Sequence, residues 1–375
     1  MIITYTRSSS LNQYKICELS YYITYNLGIQ QDPGRKTVAG TIVHKVMEVL
    51  ALCKLAFQTT QQDTVTVNDS AIGEVTVSIQ DFLKMNKLSN AEVDLINKTR
   101  INKATYKGEA FIKYGQLRVG REFVNSLIER SYNAFKGECE GWTAVEYKNI
   151  INYTWMSLEY RDGELDPRFY DVKDVEKHFE IKMDHEWAKY SYNVGKEKIK
   201  GNYEIKGTVD LIKQIDDNSI EVIDYKTGQR LNWDTGQEKT YEDLKTDKQL
   251  MLYYYALRKV YPDIKNIKLT IFFIRDGGPF TVEFNDVTLD IVENMLEDHF
   301  NDVKNNTNPE MRDETQRDFM CNKLCHYYKN NMLGSNKNIC SFIKNEIETN
   351  GIELTTLNYK TDNFSFSKYS NPGEL

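Results

Sequence analysis

Tyr203-Glu-Ile-Lys-Gly-Thr-Val-Asp210 and Ile220-Glu-Val-Ile-Asp-Tyr-Lys-Thr-Gly228 read as two strands joined across the turn Asp216-Asp-Asn-Ser219. Asp, Asn and Ser are turn formers, and both flanks carry β-branched residues with period-2 patterning. Asp224 and Lys226 are two apart, so on a strand they share a face. Closing the hairpin brings Asp210 beside that pair. An Asp-x-Lys pair alone is common on solvated strand edges. Here the apolar run Ile220, Val222, Ile223 leads into Asp224, which places it at the end of a buried strand. A charge there needs a counter-charge or a metal. Two hard carboxylate ligands beside an ammonium are what a Mg²⁺ or Mn²⁺ site for phosphodiester cleavage requires.

The rest of the chain is consistent with a soluble globular protein. It has 375 residues, 40% hydrophobic and 27% charged, enough to bury a sizeable core. No run of eighteen apolar residues predicts a membrane span, and the opening Met1-Ile-Ile-Thr-Tyr-Thr-Arg-Ser8 lacks the pattern of a secretory signal, so a cytoplasmic location is expected. The net charge of −7 argues against charge-driven nucleic-acid binding over the whole surface, but not against a local basic groove. Lys98, Arg100, Lys103, Lys107 and Lys113 gather in one such segment, which also fits a solvated helix face.

Outward from the hairpin, the pattern predicts an opening helix over 8–28, a strongly apolar helix over 39–57 and a polar loop over 58–72. Residues 80–135 read as mainly helical, 140–175 as irregular, and 176–228 as strands. Helices follow over 242–261 and 287–305, with strands Ile267–Phe273 and Phe280–Phe284 between them, and the tail loosens after about 350. The order predicts a mixed α/β core wrapped in helices, one domain over 1–375 with a helical insertion at 75–140.

His44 lies in Gly40-Thr-Ile-Val-His44-Lys-Val-Met-Glu48, where His44 and Glu48 share a helix face; a histidine on an apolar helix is otherwise usually a core residue. Gln249 and Tyr253 are likewise four apart on the 242–261 helix. In chain order, Gly-x-x-x-His, Gly-Thr-x-Asp, Asp-Tyr-Lys-Thr-Gly and Gln-x-x-x-Tyr resemble the RecB-type (AddB-like) branch of the PD-(D/E)XK nuclease superfamily. The resemblance spans residues 40–253, and Asp224–Gly228 is its most specific part. It implies a restriction-endonuclease-like mixed sheet flanked by helices. It also implies a divalent ion held by His44, Asp210, Asp224 and the backbone carbonyl of Tyr225. Lys226 would serve the attacking water and the charge that develops at phosphorus. Gln249 and Tyr253 would contact DNA or orient the lysine, and Glu176 matches a supporting acidic position ahead of the hairpin.

Six cysteines occur, and Cys321, Cys325 and Cys340 fall within twenty residues. In a cytoplasmic chain such clustering suggests metal before disulfide. Cys53 reads as a core residue and Cys139 as incidental. Several RecB-type nucleases hold a [4Fe–4S] cluster with one cysteine ahead of the His motif and three near the C-terminus. Cys17 with Cys321, Cys325 and Cys340 follows that layout, which would pack the 310–345 segment near the N-terminal helix. The spacing departs from the pattern: three residues separate the first pair, fourteen separate Cys325 from Cys340, and His326 stands next to Cys325 as a competing ligand. Four thiolates suit zinc as well as a cluster, and unligated core thiols are the remaining alternative.

The resulting expectation is a metal-dependent DNA nuclease, an exonuclease on single-stranded ends, in recombination, repair or replication. The alternatives are a catalytically silent scaffold of the same fold and an end-trimming nuclease of CRISPR adaptation. No Gly-x-x-x-x-Gly-Lys-[Ser/Thr] motif occurs, so any helicase or other motor would be a separate partner.

Overall fold

The computed structural model describes residues 1–30, 33–83, 122–194, 197–231, 236–312, 320–329 and 338–360. The basic segment 98–113 and most of the expected helical insertion lie outside these residues.

Strands β1 (Tyr5–Thr6), β4 (Val172–Lys182), β7 (Glu204–Asp216), β8 (Ser219–Lys226), β9 (Asn266–Phe273) and β10 (Gly278–Glu283) form a mixed six-stranded sheet. The hairpin read from the sequence is β7–β8, antiparallel, with Leu211 opposite Ile223 and Ile212 opposite Val222. Strand β8 then runs parallel to β9, with Lys226 opposite Phe273. A parallel pair needs a long crossover, supplied by α7 (Tyr241–Lys245) and α8 (Lys248–Val260). Because β8 is covered on both faces, Ile220, Val222, Ile223 and Tyr225 are all buried. Each contributes on the order of 2 kcal/mol of burial.

Strand β4 pairs with β7 from Glu204 to Lys213 and so takes one whole edge of it. Strands β1 and β8 must therefore share the other edge. Strand β1 takes Glu204–Ile205, and β8 takes Leu211 onward. Between them, residues 206–210 of β7 have no strand on that edge among those described. The gap ends at Asp210.

One sheet face packs against α1 (Ser8–Ile16), α2 (Glu18–Tyr21), α8 and α9 (Val287–Asn305), with α10 (His326–Lys329) and α11 (Ile339–Lys360) in the same apolar layer. The opposite face carries α3 (Arg35–Thr60), α5 (Glu122–Phe135), α6 (Ala144–Leu158) and the hairpin of β2 (Thr64–Asp69) with β3 (Gly73–Ser78). The central sheet between helices is the α/β core that the sequence predicts.

Several local expectations are corrected. The opening helix breaks at Cys17, whose backbone is extended and whose Sγ accepts the Ser20 N–H, and it ends in a π-helical turn, Tyr22–Asn26. The polar 58–72 segment is not a loop: α3 continues to Thr60, and β2 follows. Val65 and Val67 pair with Val77 and Val75 and bury one face of that hairpin. The irregular 140–175 region contains α6, started by a Thr143–Glu146 capping box. The 242–261 helix is two helices, the second capped by Asp247 at the N–H groups of Gln249 and Leu250. The tail stays helical to Lys360, with a left-handed break at Gly351 (φ +77°). The 75–140 segment opens in β3 and a short helix, α4 (Ile79–Phe82), and closes through α5.

Candidate active site

Two glycines allow the site to assemble. Gly207 faces Phe179 across β4–β7, and a Cβ there would meet the Phe179 ring at 2.5 Å. Gly40 lets α3 approach the residue after the lysine, since a Cβ would meet Thr227 Oγ1 at 2.9 Å. His44, one turn further on, then reaches Asp210, with Nδ1 to Oδ2 at 3.1 Å.

The β7–β8 ladder ends at Leu211–Ile223, and one further step along it would set Asp210 opposite Asp224. Asp210 Oδ2 also accepts the Tyr225 N–H at 3.4 Å. Asp224 is 2% exposed, and Lys226 Nζ lies 3.0 and 2.7 Å from its two oxygens. Gln249 Nε2 donates to Asp224 Oδ1 at 3.2 Å and to Tyr253 Oη at 2.9 Å. The structure thus brings together His44, Asp210, Asp224, Lys226, Gln249 and Tyr253. The Tyr225 side chain points to the other face, donating to the Leu165 carbonyl, so only its backbone can serve the site.

Burial pushes the Asp210 carboxyl upward, but His44 and Lys226 outweigh it and hold Asp210 below the usual range. Burial dominates at Asp224, with help from Asp210, and raises it despite Lys226. Burial depresses Lys226, yet Asp224 and Asp210 raise it above an ordinary lysine, so the ammonium stays charged.

Glu176 belongs to the same cluster. It stands where β4 passes Asp210, with a left-handed backbone (φ +47°) unusual for a residue with a side chain. Burial, then Asp210 and Glu48, push its carboxyl up to about 7. Sequence reasoning missed what holds Glu48: Lys45 Nζ lies 2.5 Å from Glu48 Oε2 and 2.9 Å from Asp69 Oδ2. Asp69 in turn accepts the Ala71 and Ile72 N–H groups and fixes the β2–β3 turn. The alternation of valines around Asp69–Gly73 was the available signal.

Against the sequence profiles of protein families, residues 8–329 match the PD-(D/E)XK nuclease superfamily, across the hairpin and the helices that flank it. The chain belongs to the PD-(D/E)XK nuclease superfamily. No curated protein matches it. The superfamily is one of metal-dependent nucleases, generally phosphodiesterases working with Mg²⁺ or Mn²⁺.

Among the described residues no three His, Cys, Asp or Glu side chains stand close enough to hold a metal as placed. The charges explain the placement, because Asp224 is turned onto Lys226 and Asp210 onto His44. Even so, Asp224 Oδ2 is buried and makes no hydrogen bond of good geometry. A buried carboxylate whose Oδ2 is met only by the Lys226 charge, beside a second carboxylate and an imidazole, is a donor set that fits a divalent cation.

Cys17, Cys321, Cys325 and Cys340 all line one cavity of about 500 Å³ between α1, α2 and the C-terminal segment. Burial raises the Cys325 thiol, and the nearby Cys17 and Cys321 raise it further, against the Tyr328 and Tyr327 N–H groups. His326 is not among the residues lining that cavity. Cys53 is buried inside α3, as expected of a core thiol. Among the described residues no helix is long and apolar enough to cross a membrane.

Proposed function

We propose that this chain is a Mg²⁺- or Mn²⁺-dependent DNA nuclease of the RecB type, acting on single-stranded ends in recombination, repair or replication. One observation carries the reading: two carboxylates and a charged lysine converge where the β7–β8 ladder opens, with Gln249 fixing the buried carboxylate. A scaffold that only bound DNA would have no use for buried charges kept in so costly an arrangement.

In this reading Asp210, Asp224, His44 and the Tyr225 carbonyl would hold the ion. When bound, the ion neutralises phosphate charge and lowers the pKa of water. The chain's own residues do the rest. Lys226, held cationic by its neighbours, leaves Asp224 to face the water and the charge growing at phosphorus. Gln249 keeps Asp224 in its rotamer, and Tyr253 anchors Gln249. Glu176, raised by burial and by Asp210 and Glu48, stands behind Asp210 as the supporting acidic group.

End-labelled single- and double-stranded DNA with Mn²⁺, with and without EDTA, tests the proposal. Wild type cleaves only with metal, and Asp224→Asn and Lys226→Ala do not cleave while remaining folded. Turnover at the wild-type rate in both variants would remove the assignment.

In the same reading Cys17, Cys321, Cys325 and Cys340 would hold a [4Fe–4S] cluster, favoured because cysteines of two segments distant in sequence line one cavity, though as placed no three of them stand close enough to hold a metal. Brown anaerobic protein with equal iron and sulfide is the expected result. Stoichiometric zinc, or colourless protein without either metal, would reject it. A motor protein, if one is needed, would be a separate partner.

A further inference from the structure

We propose that the Lys239–Asp247 ion pair is a positioning clamp of the site, fixing where Gln249 holds Asp224 against Lys226; this rests on the nuclease reading above and adds two positioning residues to it. Lys239 Nζ lies 2.7 Å from Asp247 Oδ2. The other oxygen of Asp247 accepts the Gln249 N–H at 3.0 Å and the Leu250 N–H at 3.3 Å. Asp247 thus caps α8 with one oxygen and holds a cation with the other.

The pair closes a ring. From Lys226 the chain leaves β8 and reaches Arg230 four residues on. The Lys239 N–H donates to the Arg230 carbonyl at 2.9 Å, and the Arg230 guanidinium donates back to the Lys239 carbonyl. Arg230 is itself fixed, its N–H donating at 2.8 Å to Asp276 Oδ2 in the turn between β9 and β10. From Lys239 the ring passes through Asp247 to Gln249, through the Gln249 amide to Asp224, and back to Lys226. The pair therefore ties the helix that carries Gln249 to the segment that follows the lysine. Capping alone does not call for this, because Asn or Ser would cap α8 as well as Asp. Gln249 also cannot absorb a shift of its helix by turning its side chain. Both amide hydrogens are committed, one to Asp224 and one to Tyr253 Oη. A displacement of the α8 start passes directly to Asp224, and misplacing a reacting group by about 1 Å can cost up to 10²-fold in rate. Burial lowers the Lys226 ammonium, and Asp247 joins Asp224 and Asp210 in raising it, so the clamp also lies within electrostatic reach of the lysine.

Steady-state cleavage of an end-labelled oligo-dT with Mn²⁺ tests the clamp. Lys239→Met and Asp247→Asn should each lower kcat roughly tenfold at unchanged KM. Asn keeps the cap and loses only the charge that holds Lys239. Lys239→Arg should restore most of the rate, and the double variant Lys239→Met/Asp247→Asn should be no slower than either single one. In EDTA, the Gln249 side-chain amide of ¹⁵N-glutamine-labelled protein, identified by its loss in Gln249→Met, should shift in both single variants. It should stay in place in Lys189→Met, which breaks the exposed Lys189–Glu186 pair at the hairpin of β5 (Lys189–Val194) and β6 (Glu197–Asn202). Wild-type kcat in Asp247→Asn overturns the inference and leaves Asp247 a helix cap. So do multiplying losses in the double variant, a loss confined to KM, or an unmoved Gln249 amide. If wild type does not cleave at all, the nuclease reading fails, and the amide shift alone decides whether the pair places Gln249.

Discussion

Removing the Lys226 ammonium should destabilise the protein through Asp224. In the wild type, both oxygens of a carboxylate that is 2% exposed lie within 3.0 Å of Nζ. In Lys226→Met, Asp224 keeps only the Gln249 amide, with Asp210 close by. Breaking a buried pair costs about 3–5 kcal/mol, and the lower end applies because a third of the lysine side chain meets solvent. Protonation sets a ceiling: neutralising an aspartate at pH 7 costs about 4 kcal/mol, and at pH 5 about 1.5 kcal/mol. The expected loss is therefore about 2–4 kcal/mol at pH 7. It should shrink as the pH falls, because burial already raises Asp224 and losing the Lys226 charge raises its folded-state pKa further, so folding of the variant takes up a proton that the wild type takes up less readily. The double variant Asp224→Asn/Lys226→Met should recover much of the loss, with a coupling energy of about 2 kcal/mol. Urea unfolding in EDTA, followed by the fluorescence of the four tryptophans, measures all four corners of the cycle. Additive single losses within about 0.5 kcal/mol, independent of pH, would refute the reasoning.

Other outcomes follow from neighbouring geometry. His299 is buried between Tyr14 and Tyr21 with Nε2 unpartnered, and burial with Lys248 pulls it down to about 4. The unfolded chain binds its proton first as the pH falls below 6.5, so stability should drop by about 2 kcal/mol from pH 7.5 to 5. A His299→Phe variant should lack that drop, and an identical pH profile in the variant would exclude His299 as its source. Gly207→Ala drives a methyl into Phe179 and should cost about 1–3 kcal/mol, read as a lowered melting temperature; an unchanged melt would show that the ring yields freely. Mg²⁺ at ten times its Kd should stabilise the wild type by about 1.4 kcal/mol and Asp210→Asn by almost nothing, by thermal shift against EDTA. Equal shifts in both would place the ion elsewhere.

The β7–β8 hairpin and its acidic end were legible in the sequence, because strand periodicity and a strong turn are local properties of the chain; its register, shifted by a bulge between Gln214 and Asp216, was not. So were α9, matched at Val287–Asn305, and the order of the motif residues. The β2–β3 hairpin escaped because its valines were read through polar neighbours, and α6 because its apolar face emerges only against α3 and α5. The Lys45–Glu48–Asp69 network joins a helix to a turn more than twenty residues away, and no periodicity announces such a pairing.

The sequence by itself determined which residues carry charge, which alternate into strands, and that two carboxylates and a lysine share one hairpin. Tertiary structure alone decided that β1 and β8 divide one edge of β7 and leave a gap ending at Asp210. It alone laid His44 over that gap and turned Asp224 onto Lys226. The reason is that hydrogen-bond ladders and close helix approach depend on which distant segments compete for the same strand edge, and that competition is settled only when the whole sheet packs.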